Sequence, residues 1–155
     1  DGRYVKISYP NGDVSADMGV CTDLIIRSFR SVGVDLQRLV HEDMVKNFNK
    51  YPSKRIWGLT SPDTNIDHRR VPILQTFFRR AGASLDITHE SKDYLPGDIV
   101  TWDLPGRSPW HIGIITDKKS NLTGRPLVVH NFGKGPITSD MIFDYKITGH
   151  YRYAP

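Results

Sequence analysis

Cysteine is nearly absent from this sequence of 155 residues, and Cys21 is its only example. A single cysteine can form neither an internal disulfide nor a four-cysteine zinc site, so cysteine usage does not identify the redox compartment. A chain of this length can bury enough apolar surface to fold without such cross-links. The sequence therefore predicts one domain over residues 1–155 and leaves one thiol whose role has to be explained.

Long apolar runs and blocks of a single charge are also missing. No stretch approaches the about 20 apolar residues of a transmembrane helix, and no signal segment opens the sequence. We expect a monomer in the periplasm or outside the cell, whose targeting peptide is not part of this sequence. The 21 Lys and Arg are dispersed among 17 Asp and Glu, which argues against a nucleic-acid partner. The net charge of +4 fits an anionic surface such as a cell-wall polymer.

The first half of the chain has mostly helical spacing of its apolar residues. One predicted helix follows Cys21 directly, and a second is capped by Asp35 and ends before Tyr51. The remaining predicted elements are a short strand from Arg3 to Tyr9, a long loop over residues 53–67 and a third helix from His68 to Arg80.

After Gly82 the pattern changes to short β-rich runs separated by turn residues. The predicted strands are Ile99–Trp102, His111–Thr116, Pro126–His130 and Ile147–Tyr153. Their short connections favour antiparallel neighbours. Helices followed by strands indicate an α+β domain in which the helices pack on one face of an antiparallel sheet.

Cys21 lies between a glycine and the first predicted helix. A thiol is a strong nucleophile only as the thiolate, and a helix N-terminus can stabilise that charge with backbone N–H groups. Gly19 is suited to a tight turn before such a helix. A small buried apolar residue is the alternative for a lone cysteine, so the rest of the chain has to supply a base.

Two of the six histidines lie where a sheet could bring them together. His111 opens one predicted strand and His130 closes the next, so antiparallel pairing would place both rings at one sheet edge. A helix N-terminus over that edge would add Cys21 to them. Three of the other four histidines are interpreted as surface or packing residues: His41, His89 and His150.

The order of these features resembles the NlpC-type cell-wall cysteine peptidases of the papain-like superfamily, and more closely a less familiar branch of it. The resemblance rests on a Gly-x-Cys turn that starts a helix, on Pro96-Gly97-Asp98-Ile99-Val100, on His111-Ile112-Gly113-Ile114, and on a later strand that ends at His130. It covers residues 9–131. It implies a papain-like α+β fold with N-terminal helices packed on a small, curved antiparallel sheet.

The resemblance also implies roles for individual residues. Cys21 would be the nucleophile, His111 the base and His130 the residue that orients the base, with no cofactor and no metal. The backbone N–H of Cys21 would help to form the oxyanion hole, and Tyr9 stands where family members often have a tyrosine that completes it. A strand-packing tyrosine is the alternative for Tyr9.

Asp23 departs from the family pattern, in which a serine usually follows the nucleophile. A carboxylate in the first helical turn could raise the pKa of Cys21, face solvent, or bind an amine of the substrate. Arg69 and Arg70 belong to an Asp-His-Arg-Arg run that could hold a substrate carboxylate through an arginine fork. A solvated helix start is the alternative for that run.

These residues predict a hydrolase that cleaves an amide bond in peptidoglycan stem peptides through an acyl-enzyme. The same site on a protein or lipid substrate, as an amidase, deamidase or acyltransferase, is one alternative. A cell-wall-binding module without catalysis is another, and so is a metal protein that uses His68, His111 or His130 with Asp67. No HExxH or cysteine-rich spacing supports a zinc site.

Overall fold

Helices fill the first half of the chain and strands the second half in the computed structural model, which describes residues 4–106 and 109–155. Within those ranges the α-helices are α1 (Cys21–Arg30), α2 (Leu36–Asn47), α3 (Ser53–Trp57) and α4 (Val71–Arg80). The strands are β1 (Ser84–Leu85), β2 (Ile99–Asp103), β3 (His111–Lys119), β4 (Pro126–Asn131), β5 (Pro136–Ser139) and β6 (Lys146–Tyr151). No helix in the described ranges is long and apolar enough to span a bilayer.

The six strands form one sheet in the order β1-β6-β2-β3-β4-β5, and every neighbouring pair is antiparallel. In the centre, Trp102 of β2 faces His111 of β3, and Gly113 of β3 faces His130 of β4. The predicted α+β class and antiparallel pairing are confirmed. The register brings both histidines to one end of the β3–β4 pair.

Apolar side chains cover both faces of this sheet because successive residues of a strand point to opposite sides. On one face Ile99 and Ile112 pack against the helices, with Ile25 of α1 and Phe78 of α4 fully buried between the layers. On the other face Trp102 belongs to a second cluster, whose further members include Val100, Leu104, Val128 and Ile142. Helix α1 packs on β3 and β4, the two strands that carry His111 and His130.

Three predicted elements differ from the structure. Residues 4–8 belong to no strand, and side chains bind their backbone instead: Asn65 accepts the Ile7 N–H at 2.9 Å and Gln37 donates to the Ser8 carbonyl at 2.8 Å. The predicted loop over residues 53–67 contains α3, which ends at Gly58 with a left-handed φ of 67°. Arg3 lies outside the described residues.

The third predicted helix begins three residues later than expected. His68 belongs to a separate 3-10 helix, Asp67–Arg69, and α4 starts only at Val71 with Pro72 in its first turn. Proline lacks the N–H that an interior helical position needs, so the first turn is where it fits. The extended backbone of Arg70, with φ −115° and ψ 124°, separates the two helices.

Candidate active site

Cys21 is the first residue of α1 and is partly buried. Asp23 stabilises this end of the helix, because its Oδ2 accepts the N–H of Val20 at 2.7 Å and its own N–H reaches the Val20 carbonyl at 3.0 Å. Gly19 has a φ of −64°, so the turn before Cys21 does not need a left-handed glycine. Packing does not require a glycine there either, since an added Cβ would meet only the flexible end of the Arg27 side chain, Nη1, at 3.3 Å.

The surroundings of the Cys21 sulfur keep it protonated. Burial raises the pKa of the thiol to about 11, the N–H groups of Ile112 and Thr22 lower it, and the charge of Asp23 raises it further. The N–H of Ile112 therefore points to the thiol from the residue directly after His111. At neutral pH Cys21 is a thiol, and a base has to take its proton before it can attack.

His111 and His130 form a hydrogen-bonded pair, with His111 Nε2 and His130 Nδ1 3.0 Å apart. The second ring nitrogen of His130, Nε2, lies 2.7 Å from the Oγ of Ser139. Both histidines are buried, at 3% and 1% exposure, and burial lowers the pKa of His130. The three residues therefore form a row of hydrogen-bonding groups that leads away from His111.

Aromatic rings hold His111 in place. Phe132 stacks on it with ring centroids 4.6 Å apart and an interplanar angle of 7°, and it meets the ring of His130 edge-on at 4.6 Å. Trp102 lies on the second cluster's side, 6.0 Å from His111 between centroids. Stacking of this kind fixes the plane of the imidazole, so the direction of its nitrogens is set by packing.

Gly113 makes room for His130. A Cβ at this position would lie 2.9 Å from Val128 Cγ1, 3.0 Å from the Val129 carbonyl oxygen and 3.2 Å from His130 Cβ. Any larger residue would push the two strands apart or displace the imidazole. The glycine in the His-Ile-Gly-Ile sequence is thus required by the close approach of β4.

Asp23 and Arg69 pair with each other in the interior. Arg69 Nε donates to Asp23 Oδ1 at 2.9 Å and Nη2 to Oδ2 at 3.1 Å, and Thr22 Oγ1 donates to the Arg69 carbonyl at 2.8 Å. Asp23 is 3% exposed and Arg69 is 5% exposed. The solvent-facing alternative for Asp23 and the solvated helix start for residues 67–69 are therefore wrong. Arg69 does form a fork of two hydrogen bonds to a carboxylate, but this carboxylate belongs to Asp23 and not to a substrate.

The other two candidate residues are Tyr9 and Arg70. None of their described contacts joins them to Cys21, His111 or His130. The ring of Tyr9 lies edge-on against His41 of α2, with centroids 5.0 Å apart. The guanidinium of Arg70 lies over Trp57, 4.3 Å from the ring centroid. Trp57 in turn meets Trp110, the residue before His111, at 6.0 Å, so Arg70 is connected to the histidine strand through two aromatic rings.

The remaining histidines have neighbours of their own. His150 Nε2 lies 2.6 Å from Asp98 Oδ2 and its ring stacks on Tyr94 at 4.2 Å, in keeping with its predicted packing role. His68 is 2% exposed, and its burial lowers the pKa to about 4. His41 is half-buried against Tyr9, so its interpretation as a surface residue is only partly right.

Two residues of the cluster were not predicted from the sequence. Ser139 ends the short strand β5, which begins at Pro136 just after two glycines, and Phe132 follows His130 by two positions. A serine in such a run has no distinguishing pattern, whereas an aromatic residue next to a candidate histidine is a usable signal. No group of three or more His, Cys, Asp or Glu in residues 4–106 and 109–155 is arranged to hold a metal ion.

Comparison with known proteins relates nearly the whole chain to one family. The family model described as "Domain of unknown function (DUF1287)" matches residues 1–153. The chain is similar to "Uncharacterized protein YijF" of Escherichia coli (strain K12), with 49% identity over 153 residues, which are 99% of this chain and 73% of that protein. No solved structure matches the chain. The relationship thus spans both the helices and the sheet that build the candidate site.

Proposed function

Since the chain belongs to the DUF1287 family, we propose its function from the site itself: it is a cysteine hydrolase that cleaves an amide bond through an acyl-enzyme. The observation that carries this proposal is the row of His111, His130 and Ser139 at 3.0 and 2.7 Å. It starts on β3 and β4, against which α1 packs with the Cys21 thiol as its first residue. A nucleophile, a base and a group that orients the base are the parts that such catalysis needs. The proposal includes a papain-like fold for the helices and the antiparallel sheet.

In the tautomer that we propose for His130, its hydrogen bonds leave one nitrogen of His111 to act as the base. Because burial lowers its pKa, His130 is neutral at pH 7 and has one N–H and one acceptor nitrogen. With Nε2–H donated to Ser139 Oγ, Nδ1 accepts the Nε2–H of His111. The proton of the thiol then goes to His111 Nδ1.

The reaction follows from this proton arrangement. Cys21 Sγ attacks the carbonyl carbon while His111 Nδ1 takes the thiol proton, and backbone N–H groups at the start of α1 stabilise the oxyanion. Collapse breaks the C–N bond, and His111 returns the proton to the leaving amine. A water molecule, deprotonated by His111, then attacks the thioester and releases a carboxylic acid and the free thiol.

Peptidoglycan stem peptides are the substrate that we propose, in the periplasm or outside the cell. The resemblance to NlpC-type peptidases supports this choice, and so does the net charge of +4, which favours binding to an anionic wall. Proteins or lipids with an amide bond are the alternative substrates for the same site.

The test is digestion of purified sacculi by the wild type and by Cys21→Ala, followed by mass spectrometry of the muropeptides. The wild type should release peptides cut at one type of amide bond, and Cys21→Ala should release none, because no other group can form the acyl-enzyme. Ser28→Ala is the matched control, since Ser28 lies on the same helix and bonds only the Leu24 carbonyl at 2.7 Å. It should keep full activity.

Thermal unfolding of each variant shows whether loss of activity reflects loss of the fold. Hydrolysis retained by a folded Cys21→Ala protein would refute the cysteine mechanism. Sacculi left intact by the wild type, together with cleavage of a panel of protein and lipid amides, would keep the mechanism and replace the substrate.

A further inference from the structure

Most arginines of this protein are neutralised by a carboxylate. Of the ten that the structure describes, seven form ion pairs of 2.7–3.1 Å. Within the same ranges Arg55, Arg70 and Arg79 form no such pair, and Arg70 rests on an aromatic ring. The remaining two, Arg55 and Arg79, line the same cavity.

This cavity, of about 410 Å³, lies between the turn from α2 to α3 and helix α4. Lys50 joins the two arginines in its wall, and Asn49 adds an amide, whereas no carboxylate lines it. Thr76 Oγ1 accepts a hydrogen bond from Arg79 Nη2 at 3.4 Å, which keeps that guanidinium at the cavity. Its lining is therefore rich in cationic donors and unbalanced in charge.

Three cations around one cavity create a local positive potential that attracts an anion. A carboxylate does pair with the arginine next to this cavity, because Arg80, which follows Arg79, is paired with Asp43 at 2.7 Å. Three cations are thus grouped without a carboxylate around this cavity, beside an arginine whose ion pair is complete. That pattern is typical of an anion-binding site.

A second cavity, of about 720 Å³, adjoins the first, and Arg55 and Tyr51 line both. Its wall adds the apolar side chains of Phe48 and Leu59. A ligand that fills both spaces would have an anionic group near Arg55 and an apolar part next to it. Pockets of this kind combine apolar walls with a few polar groups that fix orientation.

We propose that the two cavities bind a phosphate ester with an apolar substituent, which is a site separate from the Cys21 cluster. The phosphate lies among Lys50, Arg55 and Arg79, and the apolar substituent lies against Phe48 and Leu59. Phosphate fits better than carboxylate because it offers more oxygens to the three cations, and guanidinium groups bind it with two parallel hydrogen bonds. A soluble phosphate ester and a phospholipid headgroup share this chemistry.

The test measures binding of phenyl phosphate by calorimetry, and binding of phosphatidylglycerol vesicles by co-sedimentation. The variant is Arg55→Gln with Arg79→Gln. The matched control is Lys118→Gln with Lys119→Gln, which removes the same charge from exposed positions at the end of β3. For whichever probe binds the wild type, Kd should rise at least about tenfold in the arginine variant, since two charge-assisted contacts are lost. The control should change Kd less than about twofold.

Each outcome decides the proposal. Binding of phenyl phosphate that depends on the arginines identifies a soluble ester, and binding of vesicles alone identifies a lipid headgroup. Equal losses in the variant and the control, or no saturable binding of either probe to the wild type, would overturn it. Because both variants leave the Cys21 cluster intact, alkylation of Cys21 should stay at the wild-type rate, so failure here is distinct from failure of the hydrolase proposal.

Discussion

Ser139 contributes to the site through the proton of His130. Its hydroxyl lies 2.7 Å from His130 Nε2, and acceptance of that N–H leaves Nδ1 as a lone pair for His111. A serine hydroxyl can also donate, so Ser139 favours one tautomer of His130 without locking it. Its proposed role is that of a positioning residue, since it acts on His111 through another side chain.

Ser139→Ala should slow alkylation of Cys21 by iodoacetamide at neutral pH about fivefold, because one buried hydrogen bond is worth about 1 kcal/mol. The imidazolium of His111 would be less stabilised, so the alkylation rate should also rise at higher pH than in the wild type. Ser139→Thr keeps the hydroxyl and should restore both rate and profile. A wild-type pH profile in Ser139→Ala would exclude this role.

Single residues also explain why part of the site was predictable. Cys21, His111 and His130 each lie at the end of a strongly patterned helix or strand, so their approximate positions follow from the sequence. The Asp23–Arg69 pair was not predicted, because its partners are 46 positions apart and each looks like a surface charge when considered alone. A buried ion pair is visible in sequence only if the contact between its elements is known.

At the scale of elements, the 3-10 helix Asp67–Arg69 carries two buried groups with opposite responses to pH. Burial lowers the pKa of His68 to about 4, so its contribution to stability is present above its usual value of 6.5 and is lost as pH falls through about 4. Burial raises the pKa of Asp67 to about 6. Its contribution is present below the usual value of 3.8 and is lost as pH rises through about 6.

These two contributions, each up to about 3 kcal/mol, nearly cancel between pH 6 and pH 4 in the wild type. Asp67→Asn leaves only the histidine effect, so its free energy of unfolding should fall more steeply than that of the wild type as the pH decreases over this range. His68→Gln should show the reverse trend. Urea unfolding at several pH values between about 7 and 4 measures both, and parallel curves for all three proteins would contradict the assignment.

Elements with strong periodic patterns were predicted well, and short ones were not. Helix α1 begins at Cys21, one residue before its predicted start, and the long strands β2, β3 and β4 lie within a few residues of their predicted bounds. Helix α3 has five residues and β5 has four, which is too few for a period to appear. Strand β5, for example, forms by pairing with β4. The local sequence of such a short element does not reveal its partner.

At the scale of the whole molecule, Asp98 joins the end of the chain to the centre of the sheet. Its carboxylate accepts Arg152 Nε and Nη2 at 2.8 Å each, lies 2.6 Å from His150 Nε2, and accepts the Leu95 N–H at 3.0 Å. Asp98 is 1% exposed. The Pro-Gly-Asp sequence that suggested a peptidase family thus has a structural role here.

Asp98→Asn should lower the free energy of unfolding by about 3 kcal/mol, because its amide would face the donors of Arg152 and His150 in the interior. Arg152→Met should cost less, since the Arg152 side chain is 46% exposed. Urea unfolding gives both values, and the iodoacetamide rate of Cys21 in the folded variants should match the wild type. A folded Asp98→Asn protein whose Cys21 reacts with iodoacetamide more slowly than the wild type would place Asp98 in the site.

The protonated state of Cys21 has a consequence beyond catalysis. Peroxides oxidise the thiolate far faster than the thiol, and the first product, a sulfenic acid, leads on to irreversible acids. With a pKa of about 11, the resting side chain exposes almost no thiolate to such oxidants. The burial that makes a base necessary for attack therefore also preserves the one thiol of the chain in oxidising surroundings.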